Sequence, residues 1–191
     1  MYRFLPLILI ATLLAACDTN FRSAPPASSG PKLAVLSVKF DPKEANYIFD
    51  KGTGTISGRA FIKASDGTTK TAAGSSATLL PATRYAEQRV NAIYGSAGVA
   101  TRKVKFSKGS DDPRYHVYTR TAAVGSDGNF TFGGLAAGDY FVTTGINWKT
   151  RDASGKSARR GIALVKRVSV VNGETVKVIL TTSGTQLASR Y

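Results

Sequence analysis

Two residue types that often act as a nucleophile and a general base are nearly absent from this sequence. Cysteine and histidine occur once each, as Cys17 and His116. A nucleophilic cysteine or serine needs a base held against it. The residues around His116, with Tyr115 and Tyr118 beside it, alternate like a strand, and nothing indicates a serine partner. A single cysteine also excludes an intrachain disulfide and a metal site with several cysteine ligands.

Paired carboxylates could serve as acid and base, but each candidate has a turn explanation. Asp111 and Asp112 precede a proline, and Asp127 and Asp139 stand beside glycines. Aspartate is common in turns because its side chain hydrogen-bonds to the backbone two residues on. We therefore predict no catalytic residue, no metal site and no cofactor, and we expect a protein that is not an enzyme.

The strongest chemical signal is positive charge. Lysine and arginine number 26 against 12 acidic residues, a formal net charge of +14. Such a surface attracts phospholipid head groups, lipopolysaccharide, acidic glycan, nucleic acid or an acidic protein face; the alternative is that the charge only aids solubility. The candidate contacts with an anionic partner form two groups predicted in or beside loops, where binding residues often lie: Arg102, Lys103 and Lys105 in one, and Lys149, Arg151, Lys156, Arg159, Arg160, Lys166 and Arg167 in the other.

The amino-terminal segment predicts export. Residues 1–16 contain Arg3, the apolar run FLPLILIATLL and then small residues. This is typical of a lipoprotein-type or ordinary secretory signal peptide, since the run is too short for a spanning helix. The segment ends in the letters LAAC, with Cys17 last, which resembles the bacterial lipobox. That resemblance implies cleavage before Cys17, a diacylglycerol on its thiol and an acylated new amino terminus. The alternative is an ordinary signal peptide with an incidental cysteine.

The residues after Cys17 give predictions about the membrane that holds the protein and about the segment that follows the anchor. In many Gram-negative bacteria an aspartate at this position, here Asp18, resembles the signal that keeps a lipoprotein in the inner membrane. We therefore predict a lipid-anchored protein of the bacterial cell envelope that faces the periplasm, with the inner membrane favoured over the outer. Residues 17–32 are small, polar and proline-containing, which predicts a flexible tether. A periplasmic address and few aromatic stacking platforms argue against nucleic acid as a partner.

The segment GSDGNFTFGGLAAGDYFVTTGINW, from Gly125 to Trp148, predicts two strands. A tight turn leads into a short aromatic strand containing Phe130 and Phe132, and a glycine-rich linker leads into a long strand from Asp139 to Lys149. Side chains alternate across a strand with period two. One face of the long strand is therefore predicted to be core: Tyr140, Val142, Thr144, Ile146 and Trp148.

Two sequence patterns carry a family resemblance. The run DG-x-F-x-F-x-x-L-x-x-G-x-Y-x-V begins at Asp127, and G-x-I-x-G-x-A begins at Gly54. Together they resemble the signature of carboxypeptidase regulatory-like domains, relatives of transthyretin and of the Cna-B-type sandwich modules. The resemblance implies an antiparallel two-sheet Greek-key β-sandwich. It implies little about activity, because this fold serves many functions.

A helix is predicted over residues 83–94, between the N-cap Thr83 and the stop Gly95. Its apolar stripe, Ala86, Val90 and Ile93, is predicted to pack against a sheet edge; the alternative is a partner-binding face. Further predicted elements are strands at 33–40, 54–62 and 77–80, a turn at 41–44, a loop at 151–160, a hairpin of 98–108 with 115–124, and a hairpin of 161–171 with 175–182. The second hairpin surrounds Asn172-Gly173, a pair typical of two-residue turns.

These observations predict an all-β chain in four parts: a signal peptide (1–16), an anchored tether (17–32), a β-sandwich with one short helical insertion (33–182) and a tail (183–191). We expect a non-catalytic binding or scaffolding module whose partner is an envelope protein or an anionic surface. One alternative is a transthyretin-like lipoprotein of a secretion-system envelope complex, as in type VI secretion. A second is an enzyme, or an enzyme's accessory, acting on envelope glycan or peptide.

Overall fold

The computed structural model describes residues 31–64, 67–101, 103–151 and 155–182. The predicted signal peptide, Cys17, Asp18, Arg102 and the predicted tail lie outside them. The strands are β1 (Lys32–Ala34), β2 (Lys51–Lys63), β3 (Thr69–Thr71), β4 (Ser76–Pro81), β5 (Val99–Ala100), β6 (Val104–Phe106), β7 (Arg120–Ala123), β8 (Asn129–Leu135), β9 (Gly138–Arg151), β10 (Ser157–Val170) and β11 (Thr175–Leu180). The helices are α1 (Pro42–Ala45) and α2 (Arg84–Tyr94), with 3-10 turns at Asn46–Phe49 and Pro113–Val117.

The predicted all-β sandwich with a helical insertion is confirmed. One layer is a five-stranded sheet in the order β5-β10-β9-β4-β7, and the other contains β11, β2, β3 and β8. The main core lies between them. Along β9, Tyr140, Val142 and Ile146 are fully buried in this core, and Trp148 packs against its margin, as the alternation predicts.

The second layer is built on β2. Ile56, Ala60 and Ile62 point into the core, and Phe130 and Phe132 of β8 do the same. Gly58 is required here, because a Cβ atom at this position would lie 2.1 Å from the Phe130 ring. One detail differs from the expected antiparallel sheets: β11 runs parallel to β2, from Thr175 opposite Thr55 to Leu180 opposite Ala60.

The predicted helix is confirmed as α2. The Thr83 hydroxyl accepts a hydrogen bond from the Ala86 amide, and Gly95 follows the last turn with φ of 60°. The helix packs on the outer face of the five-stranded sheet, where Tyr85, Ala86 and Phe141 belong to a second core. The prediction that the helix packs against a sheet edge is therefore wrong. The reason is that outward-facing Phe141 gives the middle of the sheet a second apolar patch.

Neither predicted hairpin forms. β10 pairs with β9 from Ser157–Arg151 to Val170–Gly138, whereas β11 crosses to the other sheet. In the region of the first predicted hairpin, β6 pairs in parallel with β1, and β7 pairs with β4. Turn chemistry specifies only that the chain reverses; the apolar faces of both strands determine which sheet each joins.

Three smaller predictions are also wrong. The loop predicted at 151–160 is partly strand, because β9 continues to Arg151 and β10 begins at Ser157; residues 152–154 lie outside the described residues. The turn predicted at 41–44 is a helical turn, in which the Asp41 carboxylate accepts from the Lys43 amide. The strand predicted at 33–40 is short, since β1 ends at Ala34 and Leu36 and Phe40 instead enter the second core.

Candidate functional site

A groove of about 800 Å³ lies on the outer face of the five-stranded sheet, between the sheet and the segments that carry α2 and β6. Its floor consists of the small residues Gly145, Gly161 and Ala163, from β9 and β10. Side chains at alternate positions of the two strands share this face, since Gly145 is opposite Ala163 and Asn147 is opposite Gly161. The pairing thus places the only amide side chain of the floor at one end of the groove.

The Asn147 side chain lies over Gly161 at the end of the floor. A Cβ atom at Gly161 would lie 2.5 Å from the Asn147 Oδ1 atom. Asn147 is exposed, and its side-chain amide makes no hydrogen bond to another group of the described residues. An amide offers two donor hydrogens and an acceptor oxygen. This end of the groove therefore presents an unused donor and acceptor to solvent.

The wall opposite the floor is held by Arg89 of α2. Its side chain is only 12% exposed, and its guanidinium donates to the Asp111 carboxylate. The same guanidinium lies 4.4 Å from the ring centroid of Phe106 and 5.1 Å from that of Tyr115. A charge in this position is stabilised by the negative faces of both rings. One arginine thereby fixes both β6 and the turn at residue 111 against the helix.

Two tyrosines support that wall. The Tyr85 hydroxyl donates to the Asp111 carboxylate over 3.2 Å and accepts from the Asp112 amide over 2.7 Å. Burial raises the pKa of Tyr85, and burial likewise raises the pKa of Tyr115 far above its usual range. Both phenols stay neutral at physiological pH, so they act as packing and hydrogen-bonding groups and do not serve as bases.

The structure brings part of both predicted basic groups to this face. Lys103 and Lys105 border the groove. Lys149 lies two residues after Asn147, on the same face of β9. Arg159 of β10 is the direct cross-strand partner of Lys149. Arg151 occupies the next position of that face, opposite Ser157. Lys149, Arg151 and Arg159 are strand residues that lie close to the connection between β9 and β10.

The other predicted contacts lie elsewhere. Arg160 and Trp148 line a crevice of about 790 Å³ where β9 and β10 extend past β2. Lys166 and Arg167 line a cavity of about 300 Å³ beside the end of α2, where burial lowers the pKa of Lys166. Arg167 is neutralised there by Glu87 and Asp139. Lys156 precedes β10 in the connection from β9, and Arg102 is outside the described residues.

The sequence patterns did not predict the groove or the residues that form its wall. No sequence pattern singles out Asn147, and Arg89, Phe106 and Asp111 come from separate segments. Two features of the sequence could have indicated the groove. One is the apolar stripe of the helix, for which a partner-binding face was the alternative, and the other is the pair of glycines inside long strands, Gly145 and Gly161. Glycine in a strand interior often marks a place where a ligand approaches closely.

The catalytic candidates remain dispersed. His116 is exposed in the 3-10 turn, so the prediction that it occupies a strand is wrong. Tyr115, beside it, is buried and therefore does not offer an exposed ring for stacking. Among the described residues, no group of three or more His, Cys, Asp or Glu side chains could hold a metal ion. Within the same residues, no helix has the length and apolar character needed to cross a membrane.

No family profile and no curated protein sequence matches this chain, so no family comparison confirms the resemblance to carboxypeptidase regulatory-like or transthyretin-like domains. Among solved structures, the chain is similar to a protein of Pseudomonas aeruginosa that is described as a proposed carbohydrate-binding protein. The two chains are 26% identical and superpose with a TM-score of 0.61, over 75% of this chain and 98% of that chain. The similarity thus supports a β-rich fold, and the similar protein is described as a binding protein.

Proposed function

We propose that this protein is a lipid-anchored module of the bacterial cell envelope that binds carbohydrate in the outer-face groove without catalysing a reaction on it. The observation that carries the proposal is the groove itself, an open concavity of about 800 Å³ with an unengaged amide at one end. The similar protein from Pseudomonas aeruginosa, described as a proposed carbohydrate-binding protein, supports the same ligand class.

The lining suits a sugar chain. Ile93, Val104 and Phe106 provide apolar contacts for the C–H faces of sugar rings. The Asn147 amide and the Asp111 carboxylate provide hydrogen-bonding groups for hydroxyls. Binding sites typically combine such apolar walls with a few placed polar groups. The carboxylate of the groove lining, Asp111, accepts hydrogen bonds from Arg89 and Tyr85, so it holds the wall in place, which agrees with binding and not with turnover.

The anchor completes the proposal. The lipid on Cys17 would hold the protein on the membrane, because each buried methylene contributes about 0.8 kcal/mol. The tether of residues 17–32 would let the sandwich reach material beyond the head groups. Asp18 favours the inner membrane and a periplasm-facing domain. An acidic envelope protein is the competing partner for the same basic face.

A glycan array and titration calorimetry on the full-length protein in non-ionic detergent test this function. We expect oligosaccharide binding that falls at least tenfold in Asn147→Ala. The matched control is Asn91→Ala, an exposed asparagine on α2 that lies outside the groove and that we expect to be silent. An array without hits, or equal affinities for both variants, would overturn the proposal. Release of new reducing ends from a bound glycan would identify an enzyme instead.

A further inference from the structure

We propose that the carbohydrate is an acidic polysaccharide, whose chain leaves the groove at Asn147 and continues along the outer face of β9 and β10 over Lys149, Arg159 and Arg151. This inference rests on the proposed function and names its ligand class. The negative groups, carboxylate or sulfate, would contact the cations of the strands, and Lys103 and Lys105 would contact the part of the chain inside the groove.

The first observation is an unfavourable pair of like charges. Lys149 and Arg159 are direct cross-strand neighbours and both are exposed. Opposed residues on one sheet face have Cβ atoms about 4.5–5.5 Å apart, and like charges there are destabilising. No ion pair joins either residue to a carboxylate within the part of the chain that the structure describes. Within the described residues this pair therefore has no carboxylate partner, a role that a bound anion would fill.

The second observation is that four other arginines are paired with carboxylates. Arg89 pairs with Asp111, Arg114 with Asp112, and Arg84 with Glu44. At the opposite end of the same sheet face, Arg167 is held by two carboxylates, those of Glu87 and Asp139. Among the described residues, the acids of the insertion and of β9 are thus paired with other cations. Arg167 has carboxylate partners at one end of β10, whereas no carboxylate of the described residues pairs with Lys149 or Arg159 at the other end.

The third observation is regular spacing. Asn147, Lys149 and Arg151 occupy successive outward positions of β9, and positions two apart on a strand are separated by roughly 6.6 Å. A straight row of hydrogen-bonding and cationic groups at regular intervals matches a linear polymer that carries repeated charge. It continues from a concave groove, which a flat membrane surface cannot enter. For this reason we assign the row to a polysaccharide chain and not to lipid head groups.

The test compares three probes on the full-length protein in non-ionic detergent: polygalacturonate, neutral dextran, and vesicles containing phosphatidylglycerol. The variant is Lys149→Gln/Arg159→Gln. The control is Lys39→Gln/Lys43→Gln, which removes the same charge from exposed lysines on another part of the surface. We expect polygalacturonate to bind at least tenfold more tightly than dextran, and the variant to lose at least tenfold in affinity while the control loses less than threefold. Added salt should weaken binding of the wild type more than that of the variant.

A second readout needs no ligand. Because the variant removes a like-charge pair, its melting temperature should be equal to or higher than that of the wild type, whereas residues kept only for folding would lower it when replaced. Equal binding of dextran and polygalacturonate would overturn the acidic ligand but leave the proposed function intact. Binding to the vesicles alone, with no carbohydrate bound, would overturn both. An unchanged affinity in the variant would overturn the path along β9 and β10.

Discussion

The guanidinium carbon of Arg89 lies 4.4 Å from the ring centroid of Phe106. The same guanidinium donates to Asp111, which connects α2 to two segments that follow it in the chain. The insertion therefore does not depend on hydrogen-bonded strands alone, since β6 contributes only three residues. The position of the groove wall therefore depends on the mostly buried Arg89 side chain and on its contacts with Phe106 and Asp111.

Replacing Arg89 tests this connection. Arg89→Leu should lower the free energy of unfolding by about 2 kcal/mol, because it removes a partner from a largely buried ion pair and the contact with two rings. Urea unfolding followed by circular dichroism measures the change. Arg84→Leu is the control, since its ion pair with Glu44 is 75% exposed on the arginine side and exposed pairs contribute little. Equal stability of both variants would contradict the structural importance of Arg89.

The close approach at Gly58 gives a prediction for the main core. Gly58→Ala should destabilise the protein by about 1–3 kcal/mol, because the added methyl group overlaps the buried Phe130 ring. Gly133→Ala is the matched control, since no atom lies within 4 Å of a Cβ atom there. The double variant Gly58→Ala/Phe130→Leu should recover part of the loss. Thermal melting curves that place the Gly58 variant at wild-type stability would refute the overlap.

Acid sensitivity is expected from Asp139. Hydrogen bonds from Ser169 and Arg167 lower the pKa of its carboxyl group below its ordinary value. The folded state therefore favours the carboxylate, and this stabilisation is complete above the unfolded-state pKa of about 3.9 and is lost as pH falls through the lower folded-state value. The melting temperature of the wild type should decrease from pH 6 to pH 3 more than that of Asp139→Asn. The same decrease in both proteins would show that Asp139 contributes nothing.

Trp148 is the only tryptophan and reports which site a ligand occupies. Its side chain faces the inner side of β9 and lines the crevice with Arg160, whereas the groove lies on the outer side. Carbohydrate bound in the groove should leave the emission maximum of Trp148 nearly unchanged. A large blue shift on saturation would instead place the ligand in the crevice, and Arg160→Gln would then be the variant that weakens binding.

Membrane attachment should depend on a single atom, the Cys17 thiol sulfur. Cells grown with an alkyne fatty acid should label the wild type, and Cys17→Ala should be unlabelled and released to the soluble fraction. Asp18→Ser should move the labelled protein from the inner to the outer membrane if the sorting rule holds in the host. Labelled Cys17→Ala protein would contradict the lipoprotein hypothesis.

The sequence by itself determined the local structure. Alternation with period two assigned the core face of β9 and of β8, and the cap residues Thr83 and Gly95 bounded α2 correctly. These features are predictable because each depends on neighbouring residues and on backbone geometry alone.

Strand partners and the candidate site were decided only by the tertiary structure. Asn172-Gly173 reverses the chain, but β10 buries its apolar face against β9 and β11 pairs with β2, because those surfaces are complementary over many residues. Likewise, Lys149 and Arg159 are ten positions apart in the chain and become opposite neighbours only through the β9–β10 register. The groove wall needs Arg89, Phe106 and Asp111 from three segments, and no local pattern specifies a contact that depends on how the whole sheet packs.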